Sequence, residues 1–206
     1  TLLIAVLAPA LSIAARGAHA QDFRVSGTIA INGVDSALSD GTFGPSAYDN
    51  TSGAIAAGAF DVPSAILQFG PGGDNQVTVH YQLVQTNTAS GQVASDGVAA
   101  MTDATMQLHV IGAHTPAVLW DVGGTCDFEP IDVGVLGGTG AASGLDLGAS
   151  GFTIPPVDAS ACGGHGSQLD AGLAGNQTSL QLHLAGDFTP PVASDKIFAD
   201  GFEPGG

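Results

Sequence analysis

The sequence predicts an all-β protein, an antiparallel β-sandwich or flattened barrel with one short helix and one disulfide. Apolar and polar residues alternate with a period of two in several segments, most clearly in residues 76–85. At least eight such segments are separated by glycine-rich turns, and only residues 167–174 have helical spacing. A hydrophobic content of 44% is sufficient for a packed core despite 31 glycines.

The first half of the chain contains strands of unequal clarity. Odd-numbered apolar residues from Phe23 to Ile31 predict the first strand, which ends at the Asn32-Gly33 hairpin turn. Residues 35–52 are rich in Ser, Gly, Asp and Asn, which predicts a long loop with at most a short edge strand. Weaker strands are expected to close at Phe60-Asp61-Val62-Pro63 and to cover residues 64–69, before a turn at residues 70–75.

Three strands have one apolar and one polar face, which is typical of a sheet with one buried side. They cover residues 76–85, 103–111 and 179–185, and their polar faces carry His80, His109 and His183. Further strands are predicted over residues 92–101, 117–121, 130–136 and 144–154. The short helix is expected to begin at Ser167 as its N-cap and to stop at Gly175.

The first twenty residues predict a secretory signal peptide. An apolar run over residues 2–15 is followed by Ala18 and Ala20, which match the A-x-A cleavage rule. The mature protein is therefore expected to be secreted or at the cell surface. The precursor is expected to begin upstream of Thr1, because a charged n-region and an initiator Met do not precede the apolar run. Residues 21–188 would form one domain, and residues 189–206 a Pro-containing linker and tail.

Cys126 and Cys162 are the only two cysteines. In an oxidising compartment such a pair is expected to form a disulfide, which stabilises a loop of this length by about 4 kcal/mol in the chain-entropy model. A reactive thiol or a metal pair is the alternative. Neither a C-x-x-C spacing nor a neighbouring Lys or Arg supports it.

The charge balance restricts the partners. Three Lys and Arg stand against 19 Asp and Glu, for a formal net charge of −16. So few cations cannot neutralise phosphates, which disfavours nucleic acids and anionic lipid surfaces. After the leader no stretch reaches the roughly 18 apolar residues of a membrane span. Cations or neutral ligands are compatible partners.

The sequence predicts no cofactor, and metal binding is the alternative. If the strands of His80, His109 and His183 were adjacent, a cross-strand spacing of about 5 Å would let them bind zinc or copper. The simpler interpretation is a solvated sheet face. Calcium could bind near Asp-Gly pairs, which are first of all ordinary turns. These pairs are Asp40-Gly41, Asp96-Gly97 and Asp200-Gly201.

No catalytic motif is present in the sequence. It has neither a G-x-S-x-G elbow nor a P-loop, and the glycine-rich residues 134–151 are expected to be a flexible connection. Asp127 could pair with Glu129 or Asp132 as in a glycosidase. One Trp and two Tyr supply few aromatic platforms for a sugar.

Two segments resemble parts of known proteins. Cys126, Phe152-Thr153-Ile154-Pro155-Pro156, Cys162-Gly163 and the leucines near 169–173 and 180–184 resemble the C-terminal halves of exported bacterial β proteins of actinobacterial type. These proteins have no assigned activity, so the resemblance supports no prediction about catalysis. The tail Ile197-Phe198-Ala199-Asp200-Gly201-Phe202-Glu203 is similar to a short ending of secreted proteins from relatives of Xanthomonas and Lysobacter, which implies export or surface display.

These observations predict a secreted or cell-surface, non-catalytic protein that acts through interaction. The alternatives are a carrier of a neutral apolar ligand between its sheets and an extracellular hydrolase acting on carbohydrate. In the tail, Phe198 and Phe202 could form a recognition element for a surface or export partner, or belong to a frayed terminus.

Overall fold

The backbone alternates between extended segments and tight turns over residues 20–102 and 104–193, the part of the chain that the computed structural model describes. Strands make up 60% of the structure. They are β1 (Gln21–Ile31), β2 (Val34–Ser46), β3 (Tyr48–Asp49), β4 (Ala54–Asp61), β5 (Ala65–Phe69), β6 (Val77–Gln85), β7 (Ala89–Val93), β8 (Val98–Thr102), β9 (Thr105–His114), β10 (Leu119–Trp120), β11 (Asp127–Asp132), β12 (Leu136–Ala141), β13 (Gly144–Ile154) and β14 (Gly175–Ala185). The helical elements are α1 (Ala161–Gly164), α2 (Gly166–Leu173) and a 3-10 turn at Gly73–Asn75.

Eight antiparallel strands form a closed ring. Each strand pairs with the next in the order β1, β2, β4, β7, β8, β12, β13 and β14, and β14 pairs with β1. The ring closes where β4 meets β7, with Ile55 opposite Gly91 and Gly58 opposite Ala89. Closure leaves these strands with partners on both sides, so the barrel has no open edge.

The additional strands branch from this ring at β4. Asp61 of β4 pairs with Val84 of β6, β6 also pairs with β5 and β9, and β9 pairs with β10 and β11. β5 contacts β2 and β11 contacts β13, so the extra sheet meets the ring again on both of its sides. The all-β class and the disulfide are confirmed. The architecture is a closed barrel with additional strands, and the sandwich is not confirmed.

The alternating strands bury the faces that their sequences predict. In β6 the side chains of Val77, Val79, Tyr81 and Leu83 are buried, and the same period holds in β9 and β14. The Asn32-Gly33 turn is also confirmed, because both residues have positive φ angles, 50° and 79°, as a type I′ hairpin requires. Buried apolar side chains of the described residues form one contiguous hydrophobic cluster.

The long loop predicted over residues 35–52 is wrong. Its first part belongs to β2, which pairs with β1 along most of its length, and Asp40-Gly41 lies inside this strand and not in a turn. The buried face of β2 includes Ser36 and Ser46. Their hydroxyls donate to the carbonyl oxygens of Ile66 and Ala56, respectively. Because these hydroxyls are satisfied by backbone acceptors, a loop-like composition is compatible with a buried strand.

Several further boundaries differ from the prediction. Residues 130–136 are not one strand, because β11 ends at Asp132 and β12 begins at Leu136, and the strand predicted over residues 117–121 is shortened to β10. Residues 92–101 fall in two strands, β7 and β8, because the Asp96-Gly97 turn divides them. Residues 134–151 form the β12–β13 hairpin and not a flexible connection. The single predicted helix is preceded by α1, a short turn in which Cys162 and Gly163 have positive φ angles of 53° and 65°. α2 begins after His165 with no side-chain cap from Ser167. No helix among the described residues is long and apolar enough to cross a lipid bilayer.

Candidate functional site

A cleft of about 670 Å³ lies beside α2 and opens to solvent. Its volume is within the range of about 300–1,000 Å³ that is typical of small-molecule sites. We call it the α2 cleft. It is lined by Asn32, Val34, Gln68, Phe69, Gly70, Asn75, Val77, Thr115, Trp120, Gln168, Ala171 and Gly172.

Asn32 anchors α2 at the edge of this cleft. Its backbone takes the left-handed conformation of the β1–β2 turn, which Asn tolerates better than most residues. Its side-chain Nδ2 donates to the carbonyl oxygens of Gly172 and Ala174, both at 3.0 Å. These acceptors lie at the C-terminal end of α2, where carbonyl groups lack partners inside the helix. One turn residue therefore fixes the helix that forms one wall.

Phe69, at the end of β5, packs directly against α2. A Cβ atom at Gly172 would lie 2.4 Å from three atoms of the Phe69 ring, so only a glycine lets the helix approach this closely. Phe69 itself is half-buried and packs against the hydrophobic cluster. The close approach leaves the ring between the core and the cleft.

The disulfide and an aromatic stack connect the α1–α2 segment to the chain around Trp120. Cys126, just before β11, is bonded to Cys162 in α1, which confirms the predicted pairing. Next to α1, the His165 ring stacks on the Trp120 indole with a centroid distance of 4.6 Å and an interplanar angle of 7°. His165 is not among the residues that line the cleft. Trp120 therefore contacts His165 and also lines the cleft.

The lining of the α2 cleft is uncharged. Among the described residues that line it there is no Asp, Glu, Lys, Arg or His, although the chain carries a formal charge of −16. The polar groups are the hydroxyl of Thr115 and the carboxamides of Asn32, Gln68, Asn75 and Gln168. This set can donate and accept hydrogen bonds but offers neither a nucleophile with a base nor a pair of carboxylates.

Sequence reasoning did not find this cleft. Its residues come from six separate segments, and none of them forms a motif with recognisable spacing. The one available indication was Trp120, the only Trp of the chain, in a protein with few large aromatic residues. Its partner residues become visible only when the fold brings the segments together.

The three histidines of the proposed metal site are not brought together. His80 on β6 and His109 on β9 lie on paired strands, but β4, β2 and β1 separate β6 from His183 on β14. His109 Nδ1 lies 2.5 Å from Asp127 Oδ1, and His183 Nδ1 lies 2.7 Å from Asp146 Oδ1. Within residues 20–102 and 104–193, no group of three His, Cys, Asp or Glu side chains could hold a metal ion.

Some of the remaining predicted sites lie within the residues that the structure describes, and others lie outside them. Asp96-Gly97 lies in the β7–β8 turn, where Asp96 Oδ1 accepts the backbone N–H of Val98 at 3.0 Å. Asp200-Gly201, Phe198 and Phe202 lie outside the described residues, as does the predicted signal peptide up to residue 19.

The carboxylates of β11 do not gather around one cleft. Asp127 is engaged with His109, whereas Asp132 lines a second cleft of about 590 Å³. Asp132 is the single carboxylate among the residues that line this second cleft, and its Oδ1 accepts the N–H of Gly134 at 2.9 Å. A glycosidase needs two carboxyl groups that face one substrate.

No protein-family model, curated protein or solved structure matches the chain. The resemblances noted for residues 126–188 and for the tail therefore stay predictions.

Proposed function

We propose that this protein is a non-catalytic binding protein of the extracellular space or cell surface, and that the α2 cleft is its ligand site. The uncharged lining of the cleft is the observation that carries the proposal. Two aromatic rings and several carboxamides provide contact area and hydrogen bonds. No group in the lining is equipped for acid, base or nucleophilic chemistry.

The disulfide and the leader-like sequence support an extracellular location. Disulfides persist in oxidising compartments and are rare in the cytosol. Cys126–Cys162 ties α1, which precedes α2, to the segment between Trp120 and β11, so an oxidising environment would maintain this connection. Expression with residues 1–20 preceded by an initiator Met and a Lys-containing n-region, followed by fractionation and N-terminal sequencing, tests this part; an uncleaved cytoplasmic product would contradict it.

The two alternative functions have less support. A carrier would need a cavity between its strands, whereas the α2 cleft lies beside a helix and opens to solvent. A hydrolase would need a pair of carboxylates in a cleft. The second cleft offers one, Asp132, and the α2 cleft is lined by none.

Saturation-transfer NMR with small probes tests the site. Benzyl alcohol, indole and methyl glucopyranoside are uncharged probes, and benzoate and benzylammonium are charged ones. The blocking variant is Ala171→Phe, because Ala171 is exposed and lines the cleft. The matched control is Ser167→Phe, which places the same side chain on α2 at an exposed position outside the lining.

We expect at least one uncharged probe to bind the wild-type protein and the Ser167→Phe variant, and to lose its signal in Ala171→Phe. We also expect the charged probes to bind more weakly. The proposal is overturned if no probe binds, if binding survives in Ala171→Phe, or if a bound probe is chemically converted during the measurement.

A further inference from the structure

We infer that the ligand of the α2 cleft is a neutral carbohydrate, held with one pyranose ring against Trp120 and its hydroxyls bound by carboxamides. This inference rests on the proposed function of the cleft and names the class of its ligand. Four features of the lining carry it: its aromatic surface, its free amides, its lack of charge and its rigidity.

The aromatic surface fits the apolar side of a sugar ring. An indole has a negative face and a large apolar area, so it attracts the polarised C–H groups on one face of a pyranose. His165 covers one side of Trp120, and the indole also contributes to the lining of the cleft. Phe69 adds a second ring to the same lining. Both rings also pack against the hydrophobic cluster, so the apolar surface that they offer to a sugar is the part that the core leaves exposed.

The carboxamides fit neighbouring hydroxyl groups. Each carboxamide offers one acceptor oxygen and two N–H donors, so a single side chain can bond two adjacent hydroxyls, each of which both donates and accepts. Asn75 and Gln168 are exposed, and neither side chain bonds another residue in the described part of the chain. Gln68 donates through Nε2 to Thr78 Oγ1 at 3.2 Å, which leaves its carbonyl oxygen as an acceptor.

The charge distribution selects against ionic ligands. An acidic sugar or a nucleotide would approach a protein with a formal charge of −16 and meet no cation in the cleft. A cationic ligand would find no carboxylate in the lining and many elsewhere on the molecule. A neutral, polyhydroxylated ligand brings no charge that the lining would leave unpaired, and its hydroxyls can exchange hydrogen bonds to water for hydrogen bonds to the carboxamides.

The walls of the cleft are held in place before any ligand binds. Asn32 fixes the C-terminal end of α2, the disulfide fixes α1, and Gly172 rests on the Phe69 ring. In addition, the N–H of Val157 donates to Asp170 Oδ1 at 2.9 Å and ties the segment before α1 to the middle of α2. Preorganised walls reduce the entropy that a weak, hydrogen-bonded ligand must offset.

The test is isothermal titration calorimetry of the full chain with uncharged methyl hexopyranosides and the disaccharides maltose, cellobiose and lactose. Glucuronic acid and adenosine serve as the acidic and heteroaromatic comparisons. Gln168→Leu removes one carboxamide from an exposed helix position, and Trp120→Ala removes the indole. The control Gln177→Leu makes the same change at an exposed position on β14 outside the lining.

We expect at least one neutral sugar to bind, and its dissociation constant to rise about fivefold in Gln168→Leu and about tenfold or more in Trp120→Ala, with Gln177→Leu unchanged. Since Trp120 is the only Trp, its emission should shift on sugar binding in the wild-type protein, which gives a second readout that does not need the Trp120 variant.

Three results would overturn the inference: no neutral sugar binds, adenosine or glucuronic acid binds as tightly as the sugars, or Gln168→Leu and Trp120→Ala both leave sugar binding unchanged. If sugars fail while benzyl alcohol or indole still binds in a manner that Ala171→Phe abolishes, the carbohydrate inference is wrong and the proposed binding function stands. If nothing binds the cleft, both are wrong.

Discussion

At the scale of single residues, Asn32 shows how one side chain links a local turn to a distant helix. Its backbone satisfies the left-handed position of the turn, and its amide bonds two carbonyl oxygens about 140 residues away in sequence. A glycine would keep the turn but remove both donors, so the two roles can be separated by substitution.

Asn32→Gly should lower the free energy of unfolding by about 1–3 kcal/mol, because two carbonyl acceptors lose their donor. Hydrogen exchange should speed up in residues 166–174. Gly33→Ala is the control, because it strains the same turn at φ 79° and leaves the amide in place. Unchanged exchange in α2 of Asn32→Gly would show that the two hydrogen bonds do not anchor the helix.

Tyr81 illustrates a buried polar group at the residue scale. It is fully buried on β6, and burial raises its pKa to about 12 although the nearby Ser36 hydroxyl lowers it. The Ser36 hydroxyl donates to Ile66, and among the described residues the Tyr81 hydroxyl has no hydrogen-bond partner of ordinary geometry. Tyr81→Phe should therefore change the free energy of unfolding by less than about 1 kcal/mol, whereas Tyr81→Ala should cost about 3–5 kcal/mol. Urea unfolding measures both. A loss of unfolding free energy above about 2 kcal/mol in Tyr81→Phe would show that the Tyr81 hydroxyl is hydrogen-bonded in the folded protein.

At the scale of elements, the β12–β13 hairpin depends on close backbone contact. A Cβ atom at Gly138 would lie 1.7 Å from the carbonyl oxygen of Asp146 on the paired strand, whereas a Cβ atom at Gly137 would meet no atom within 4 Å. The two glycines are neighbours on β12, so a comparison of substitutions at the two positions isolates the effect of the surrounding atoms from that of the strand.

Gly138→Ala should destabilise the protein by more than about 2 kcal/mol, since the strands must separate to admit the methyl group. Gly137→Ala should lie within about 0.5 kcal/mol of the wild type, because it is exposed and unobstructed. Thermal or urea unfolding compares the two. Equal effects would mean that the hairpin does not require the observed spacing.

The disulfide acts at the same scale, on the α1–α2 segment. Reduction with dithiothreitol should lower the free energy of unfolding by about 2–4 kcal/mol in the chain-entropy model, for a bridge that spans 36 residues. It should also shift the emission of Trp120 to the red, because α1 and His165 would no longer be held beside the indole.

The control for reduction is a Cys126→Ala/Cys162→Ala double variant, which should respond to dithiothreitol in neither stability nor fluorescence. If reduction of the wild-type protein leaves the Trp120 emission unchanged, the bridge does not position this wall of the cleft.

At the scale of the whole molecule, closure of the ring favours the folded barrel, whereas the net negative charge disfavours it. The closed ring removes exposed strand edges, while a formal charge of −16 makes the folded chain repel itself. At low salt this repulsion acts over distances comparable to the molecule, because the screening length is about 30 Å at 0.01 M and about 8 Å at 0.15 M.

Raising the NaCl concentration from about 0.01 M to about 0.15 M at pH 7 should therefore raise the melting temperature, as screening relieves the repulsion. The same salt series near the sequence pI of about 4.1 is the control, because the net charge is then close to zero and the salt effect should nearly vanish. A melting temperature that falls with salt at pH 7 would contradict the assigned role of charge.

The sequence by itself determined the features that depend on neighbours along the chain. Strict alternation in β6, β9 and β14 specified which faces are buried, Asn32-Gly33 specified a hairpin turn, and a lone cysteine pair specified one bridge. Each is a local rule, in which side-chain direction or backbone conformation follows from residue type and spacing.

Only the tertiary structure decided which strands are neighbours, and this placed the candidate sites. It separated His183 from His80 and His109. It also paired the Ser-rich segment around Ser36 with β1 and satisfied the buried Ser36 hydroxyl with the carbonyl oxygen of Ile66. It also assembled the α2 cleft from distant segments such as those of Asn32 and Trp120. The physical reason is that strand pairing uses backbone groups common to all residues, so composition cannot specify the partner; packing of the whole core does.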